Sequence, residues 1–121
     1  MLYLACPYSH EDATVREMRF RVVTEVASYL FKHGLLVFSP ISHSHPIAYY
    51  GTPGDWETWE AFDRRMIAAC DEIGVLMLDG WEESTGVRAE IAIARELGKP
   101  VTYIRREDGG DRWLQFPVPT A

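Results

Sequence analysis

A chain of 121 residues, 47% hydrophobic and 25% charged, reads as one soluble domain spanning residues 1–121, long enough to bury about two-thirds of its unfolded surface without staples. Its net charge of −6 argues against a nucleic-acid polymer as partner, which clustered Lys and Arg would have to hold. A small phosphorylated ligand stays open, because one helix N-terminus can bind a single phosphate without a basic patch. No apolar run approaches membrane-spanning length, which speaks against a membrane partner, and Met1 leads directly into Leu2–Cys6 without a basic segment or a signal-type apolar stretch. Cys6 and Cys70 are the only cysteines, so the expectation is a reduced, cytoplasmic protein.

Leu2 to Cys6 is apolar on both faces and predicts a first strand of a parallel sheet. Pro7 to Asp12 forms a loop at its C-terminal end, with Asp12 placed to cap a helix. Val15, Met18, Arg19, Val22, Val26 and Leu30, flanked by Val23, Ala27 and Phe31, make a broad helical stripe that stops at His33-Gly34. Leu35 to Phe38 is a second strand. Ser39 to Asp55 is expected to be a long irregular segment, and a loop of that length in so small a domain is more often functional than idle. Trp56 to Cys70 is helical, with Trp59, Phe62, Met66 and Ile67 inward.

A central strand follows from Ile73 to Leu78, stopped by Asp79-Gly80. After the polar Trp81-Glu82-Glu83, Ser84 or Thr85 caps a helix over Val87–Leu97 that ends at Gly98 and Pro100. Val101 to Ile104 is the fourth strand. Arg105 to Ala121 is charged and Gly-rich, and its Trp113–Pro117 segment packs as a tail or against a partner. Strands alternating with helices imply right-handed crossovers and a doubly wound α/β parallel sheet of four to five strands. Ligands in such sheets bind beyond the strand C-termini, where the strand order switches. Tyr8–His10, Ser39–His45 and Asp79–Gly86 all fall at that edge.

Ser84-Thr85-Gly86 offers free backbone N–H groups, two hydroxyls and a residue without a side chain, which suits an anion as well as it suits a plain cap. Glu90 sits among Ala89, Ile91, Ala92 and Ile93, where a carboxylate is not placed for packing. Burial would raise its pKa and the helix N-terminus would lower it, and the expectation is a carboxylate kept ionised, as a nucleophile requires. Asp63 lies on the preceding helix, either as a site carboxylate or as an exposed charge paired with Arg64 or Lys99. His10, His43 and His45 read as hydrogen-bonding loop residues, not as a metal set, because no acidic ligand accompanies them at a familiar spacing. Asp55, Trp56, Glu57 and Trp59 are placed either to stack on a base and cover the cleft or to begin an amphipathic helix.

Ser84-Thr85-Gly86-Val87-Arg88-Ala89-Glu90 after an apolar strand resembles the signature of the nucleoside 2-deoxyribosyltransferase superfamily. Its Ser-x-Gly-x-x-x-Glu spacing is closest to the nucleoside 5′-monophosphate N-glycosidase branch. Asp63 falls where that branch has an aspartate, and Tyr3 matches the tyrosine of its first strand. The resemblance implies a flavodoxin-like, Rossmann-like fold, a homodimer, and a small-molecule nucleotide as substrate, with no cofactor and no metal. Glu90 would attack the anomeric carbon, Ser84 and Gly86 would hold the 5′-phosphate, and Asp63 and Tyr3 would position the sugar and the glutamate. Tyr8, Ser9, His10, His43, His45, Asp55 and Trp56 would complete the substrate contacts. Two loops depart from the branch: Ala5–His10 stands where it carries a Gly-Ser-Ile-Arg-Gly type segment, and Ser39–Pro46 has its own character. The expected reaction is hydrolysis to free base and a sugar 5-phosphate. Base exchange, or a non-catalytic nucleotide-binding module, are the alternatives.

Overall fold

Strand alternation decides which helix covers which face of the sheet. The computed structural model describes residues 1–120, and its elements run β1 (Leu2–Ala5), α1 (Ala13–Lys32), β2 (Val37–Phe38), α2 (Pro40–Ala48), α3 (Trp56–Ala69), β3 (Glu72–Leu76), α4 (Thr85–Glu96), β4 (Val101–Arg106) and β5 (Trp113–Phe116). Strand order is β2-β1-β3-β4-β5, with the first four parallel and β5 antiparallel to β4. This is the flavodoxin-like, doubly wound arrangement, and its switch point lies between β1 and β3. Leu2, Leu4, Leu76 and Ile104 turn to one face and pack with Val23, Val26 and Leu30 of α1. Tyr3, Ala5, Ile73, Val75 and Tyr103 turn to the other, against Ile67 of α3 and Val87, Ile93 and Ala94 of α4. Tyr3 is therefore delivered to the face that carries Asp63 and Glu90.

Asp12 caps α1 through a side-chain bond from the Thr14 N–H at 2.9 Å, and Ser84 caps α4 through its Oγ and the Val87 N–H at 3.2 Å. Two expectations need correction. The segment from Ser39 is not irregular throughout, because Pro40–Ala48 is α2. Pro40 fits the first helical position, where its missing N–H removes nothing. Pro46 lies in the last turns and removes one bond, which the burial of Ile41 and His45 outweighs. The Trp113–Pro117 tail is an edge strand: Tyr103 pairs with Phe116 and Arg105 with Leu114, and the Arg105 guanidinium lies 5.1 Å from the centre of the Phe116 ring. Smaller differences follow the same physics. Leu35 and Leu36 stay outside β2 and are exposed, and Met18 and Phe31 of the α1 stripe also face out. Among the described residues no helix is long and apolar enough to cross a membrane. Both cysteines are free and buried.

Candidate active site

Three elements bring together Tyr3, Asp63 and Glu90. Tyr3 is fully buried in β1, while Asp63 on α3 and Glu90 on α4 are 8% and 5% exposed. The Tyr3 hydroxyl donates to Glu90 Oε2. Glu90 Oε1 makes no hydrogen bond with any described residue. Burial pushes the Glu90 carboxyl up to about 8; the Tyr3 hydrogen bond opposes this and the Asp63 charge adds to it. Burial likewise pushes Asp63 up to about 6, with the nearby Tyr3 hydroxyl pulling it down. Glu90 thus does not rest ionised at neutral pH, as the sequence suggested. It stands at the sixth residue of α4, beyond the first turn in which a helix terminus is felt, so desolvation wins. Between about pH 6 and 8 the pair holds one proton in total.

At the start of α4 the N–H groups of Thr85 and Gly86 have no partner among the described residues, while the next one is taken by Ser84. A Cβ on Gly86 would lie 3.9 Å from Ser84 Oγ, 4.0 Å from Glu90 Oε1 and 4.0 Å from Trp56 Cε3. That spot is the meeting point of cap, carboxylate and aromatic wall. All three are ordinary contact distances, so an alanine fits without strain. Gly86→Ala is expected to stabilise the helix by up to about 1 kcal/mol, raising the thermal midpoint by a few degrees. The new methyl would occupy the approach to the free N–H groups, and KM for a phosphorylated substrate should rise about tenfold, the equivalent of one lost hydrogen bond. Thermal melts and steady-state kinetics on the same preparation check both signs.

A cleft of about 530 Å³ opens at the C-terminal ends of β1, β2 and β3. Of the residues expected from sequence, Tyr8, Ser9, Asp55, Trp56, Asp63, Ser84, Gly86 and Glu90 line it. Tyr3 stands behind Glu90. The three histidines do not reach this cleft, and their expected role there is corrected. His45 is buried against α1, stacked 4.3 Å from Phe20, with Nδ1 2.6 Å from the Tyr8 hydroxyl and Nε2 2.7 Å from Glu17 Oε2. His43 stacks 5.3 Å from Phe62 on α3. His10 lies in an adjoining groove of about 340 Å³ beside Arg16, and its Nδ1 accepts the Asp12 N–H. The reason is helical periodicity: on α2 the cleft-facing positions are Pro40, Ile41 and Ser44, and His43 and His45 fall on either side. Cys6, Pro40, Ile41, Ser44, Gly54 and Glu83 line the cleft without having been singled out, although Pro40, Ile41, Ser44 and Glu83 lie in segments expected at this edge. A helix over 40–48 would have selected Ser44 from its spacing to Pro40.

Arg19 was counted in the α1 stripe, and it is buried with a different task. Its guanidinium donates to the carbonyls of Tyr8 at 3.3 Å and Ser9 at 3.1 Å, and to that of Asp79 at 3.0 Å. It thereby braces the loop after β1 to the loop after β3. Gly80 makes room for it: its φ is +90°, and a Cβ there would sit 2.9 Å from Arg19 Nη2. A lone Arg on an apolar helix face was the signal for this.

Fold and cleft together define an α/β protein of flavodoxin-like topology with a buried carboxylate pair at the switch point of its sheet. The family described as a domain of unknown function, DUF1937, matches residues 1–106, and the chain belongs to it. That match ends with β4, so β5 lies beyond it. No curated protein matches the chain.

Proposed function

We propose that this protein is an N-glycosidase that hydrolyses the N-glycosidic bond of a nucleoside 5′-monophosphate through a glycosyl-Glu90 intermediate. The observation that carries this reading is Glu90 itself: a buried carboxyl, one oxygen fixed by Tyr3 and the other free at the cleft, beside a helix start with two unpartnered N–H groups. The likeness to the nucleoside 2-deoxyribosyltransferase superfamily supports the same assignment. The 5′-phosphate binds at Ser84–Gly86, where backbone donors and the helix terminus favour an anion. Glu90 attacks the anomeric carbon, and the C–N bond breaks as Asp63 gives its proton to the departing base. Water, losing a proton to Asp63, then displaces Glu90 and leaves a sugar 5-phosphate of retained configuration. The working assembly is a homodimer in the cytoplasm, and the reaction uses no cofactor.

The chemistry needs Glu90 ionised and Asp63 protonated, which is the minor of the two placements of the single proton the pair holds between its two pKa values, because burial leaves that proton mainly on Glu90. Below about pH 6 both carry a proton and the nucleophile is lost; above about pH 8 neither does and the acid is lost. For a neutral base, kcat/KM is therefore expected to be bell-shaped with its maximum near pH 7, falling about tenfold per unit outside the limbs. Base release from a panel of purine and pyrimidine nucleotides between pH 4 and 10 tests the proposal. A flat profile, or equal activity in Glu90→Ala, would sink it.

A further inference from the structure

The side chains around the cleft carry charge of one sign. Asp55, Glu57, Asp63, Glu83 and Glu90 all line it, and among the described residues no Lys, Arg or His does. Glu90 Oε1 faces this space without a partner. The remaining large walls are aromatic, formed by Tyr8, Trp56 and Trp59, and the indole N–H of Trp59 is already satisfied by the Pro53 carbonyl at 2.9 Å. A neutral base gains nothing from this ring of carboxylates, and a dianionic nucleotide is opposed by it everywhere except at the α4 terminus. Resting on the reading of Glu90 as nucleophile, we propose that the substrate is an N-glycoside whose leaving base bears a permanent positive charge, a pyridinium ribotide being the simplest such molecule. Its ring lies between the aromatic walls with Asp55, Glu57 and Glu83 around the charge, and its phosphate sits on the free N–H groups of Thr85 and Gly86. Cation–aromatic attraction and carboxylate attraction then act on the same ring.

The chemistry balances without a proton donor. Glu90 forms the C–O bond at the anomeric carbon as the C–N bond breaks, and the departing electron pair neutralises the pyridinium nitrogen. Water next forms the new C–O bond, the electrons of the old one return to Glu90, and the water's proton passes through Asp63 to solvent. Each turnover yields a sugar phosphate, a neutral pyridine and one proton. The incoming positive charge also favours loss of the resting Glu90 proton, so this substrate helps to create its own nucleophile. Tyr3, Asp63 and Cys6 are the other titratable groups facing Glu90; only Asp63 changes charge between pH 5 and 9, and this substrate does not need its acid form.

The test compares the 3-carboxamide pyridinium riboside 5′-monophosphate with uridine 5′-monophosphate on the full chain. The pyridinium compound is expected to show kcat/KM at least about tenfold higher, and a profile that rises through pH 8 to a plateau instead of falling. Glu57→Gln should raise its KM about three- to fivefold and lower that of uridine 5′-monophosphate, whose phosphate Glu57 repels. A bell-shaped profile for both compounds, or a Glu57→Gln effect of the same sign on both, overturns the charge assignment while leaving the glycosidase reading standing. Failure of both compounds to turn over, with other neutral nucleotides also intact, overturns that reading and this inference together.

Discussion

Glu90→Gln is expected to reduce base release by at least about 10³-fold while making the protein harder to unfold at neutral pH. The loss follows from removing the nucleophile, since a carboxamide cannot form the glycosyl ester. The gain follows from linkage. The carboxyl has an ordinary value of 4.5 and is raised to about 8 by burial in the fold. The folded state therefore holds that proton more tightly than the unfolded chain does. Stability from this group is fully present below pH 4.5 and is lost progressively as pH rises to about 8. At pH 7 the penalty on the wild type is at most about 3 kcal/mol, counting about 1.4 kcal/mol per unit. Glutamine keeps the acceptor for the Tyr3 hydroxyl and carries no titrating proton, so the variant escapes the penalty. Urea unfolding at pH 5 and pH 8 should show the two proteins close at the lower pH and well separated at the higher one. A separation that shrinks with rising pH would mean that Glu90 is stabilised as a carboxylate, contrary to its surroundings.

Arg19→Met should be the most damaging substitution outside the carboxylate pair. It removes donors to three carbonyls on two loops, and hydrogen bonds to charged groups contribute about 1.5–3 kcal/mol each before water replaces some of them. Because Arg19 Nε is itself buried without a partner, the net loss is expected to be about 3 kcal/mol, below the simple sum. The loops that Arg19 ties carry Tyr8 and Ser9 on one side and lead to Ser84 on the other. Their release should lower kcat/KM at least about tenfold through KM, with faster amide exchange at residues 8–10 and 79–84. Arg19→Lys keeps a charge but offers no planar fork to span both loops, so rescue should be partial. Full activity in Arg19→Met would show that the cleft does not depend on this brace.

Much of the fold was legible because its signals are local. Asp12 and Ser84 announce helix starts, and Gly34 and Gly98 follow helix ends. The apolar runs at Leu2 and Ile73 are too short for anything but buried strands. Glu90 was legible because a carboxylate among Ala and Ile has no packing role, and its partners Tyr3 and Asp63 followed from the resemblance. What was hidden depended on distant contacts. Pro40 and Pro46 speak for an irregular segment, and only Phe20 and Glu17 of α1, arriving at His45, show why α2 forms. That hidden helix also turned the histidines away from the cleft and Ser44 toward it. The protonation of Glu90 was misjudged for a related reason: desolvation is a property of the assembled cleft, while a helix terminus is visible in the chain. The antiparallel β5 was hidden because Trp113–Phe116 alternates too briefly to stand out from the charged tail.

The central claim is that Glu90 forms a covalent bond to the sugar, and the configuration of a trapped product tests it most directly. Cleavage of a β-nucleotide in the presence of methanol, followed by proton NMR of the methyl glycoside, reports the number of displacements at the anomeric carbon. Two displacements through Glu90 predict the β-methyl glycoside. The α-methyl glycoside would mean direct attack on the substrate, with Glu90 acting as something other than the nucleophile.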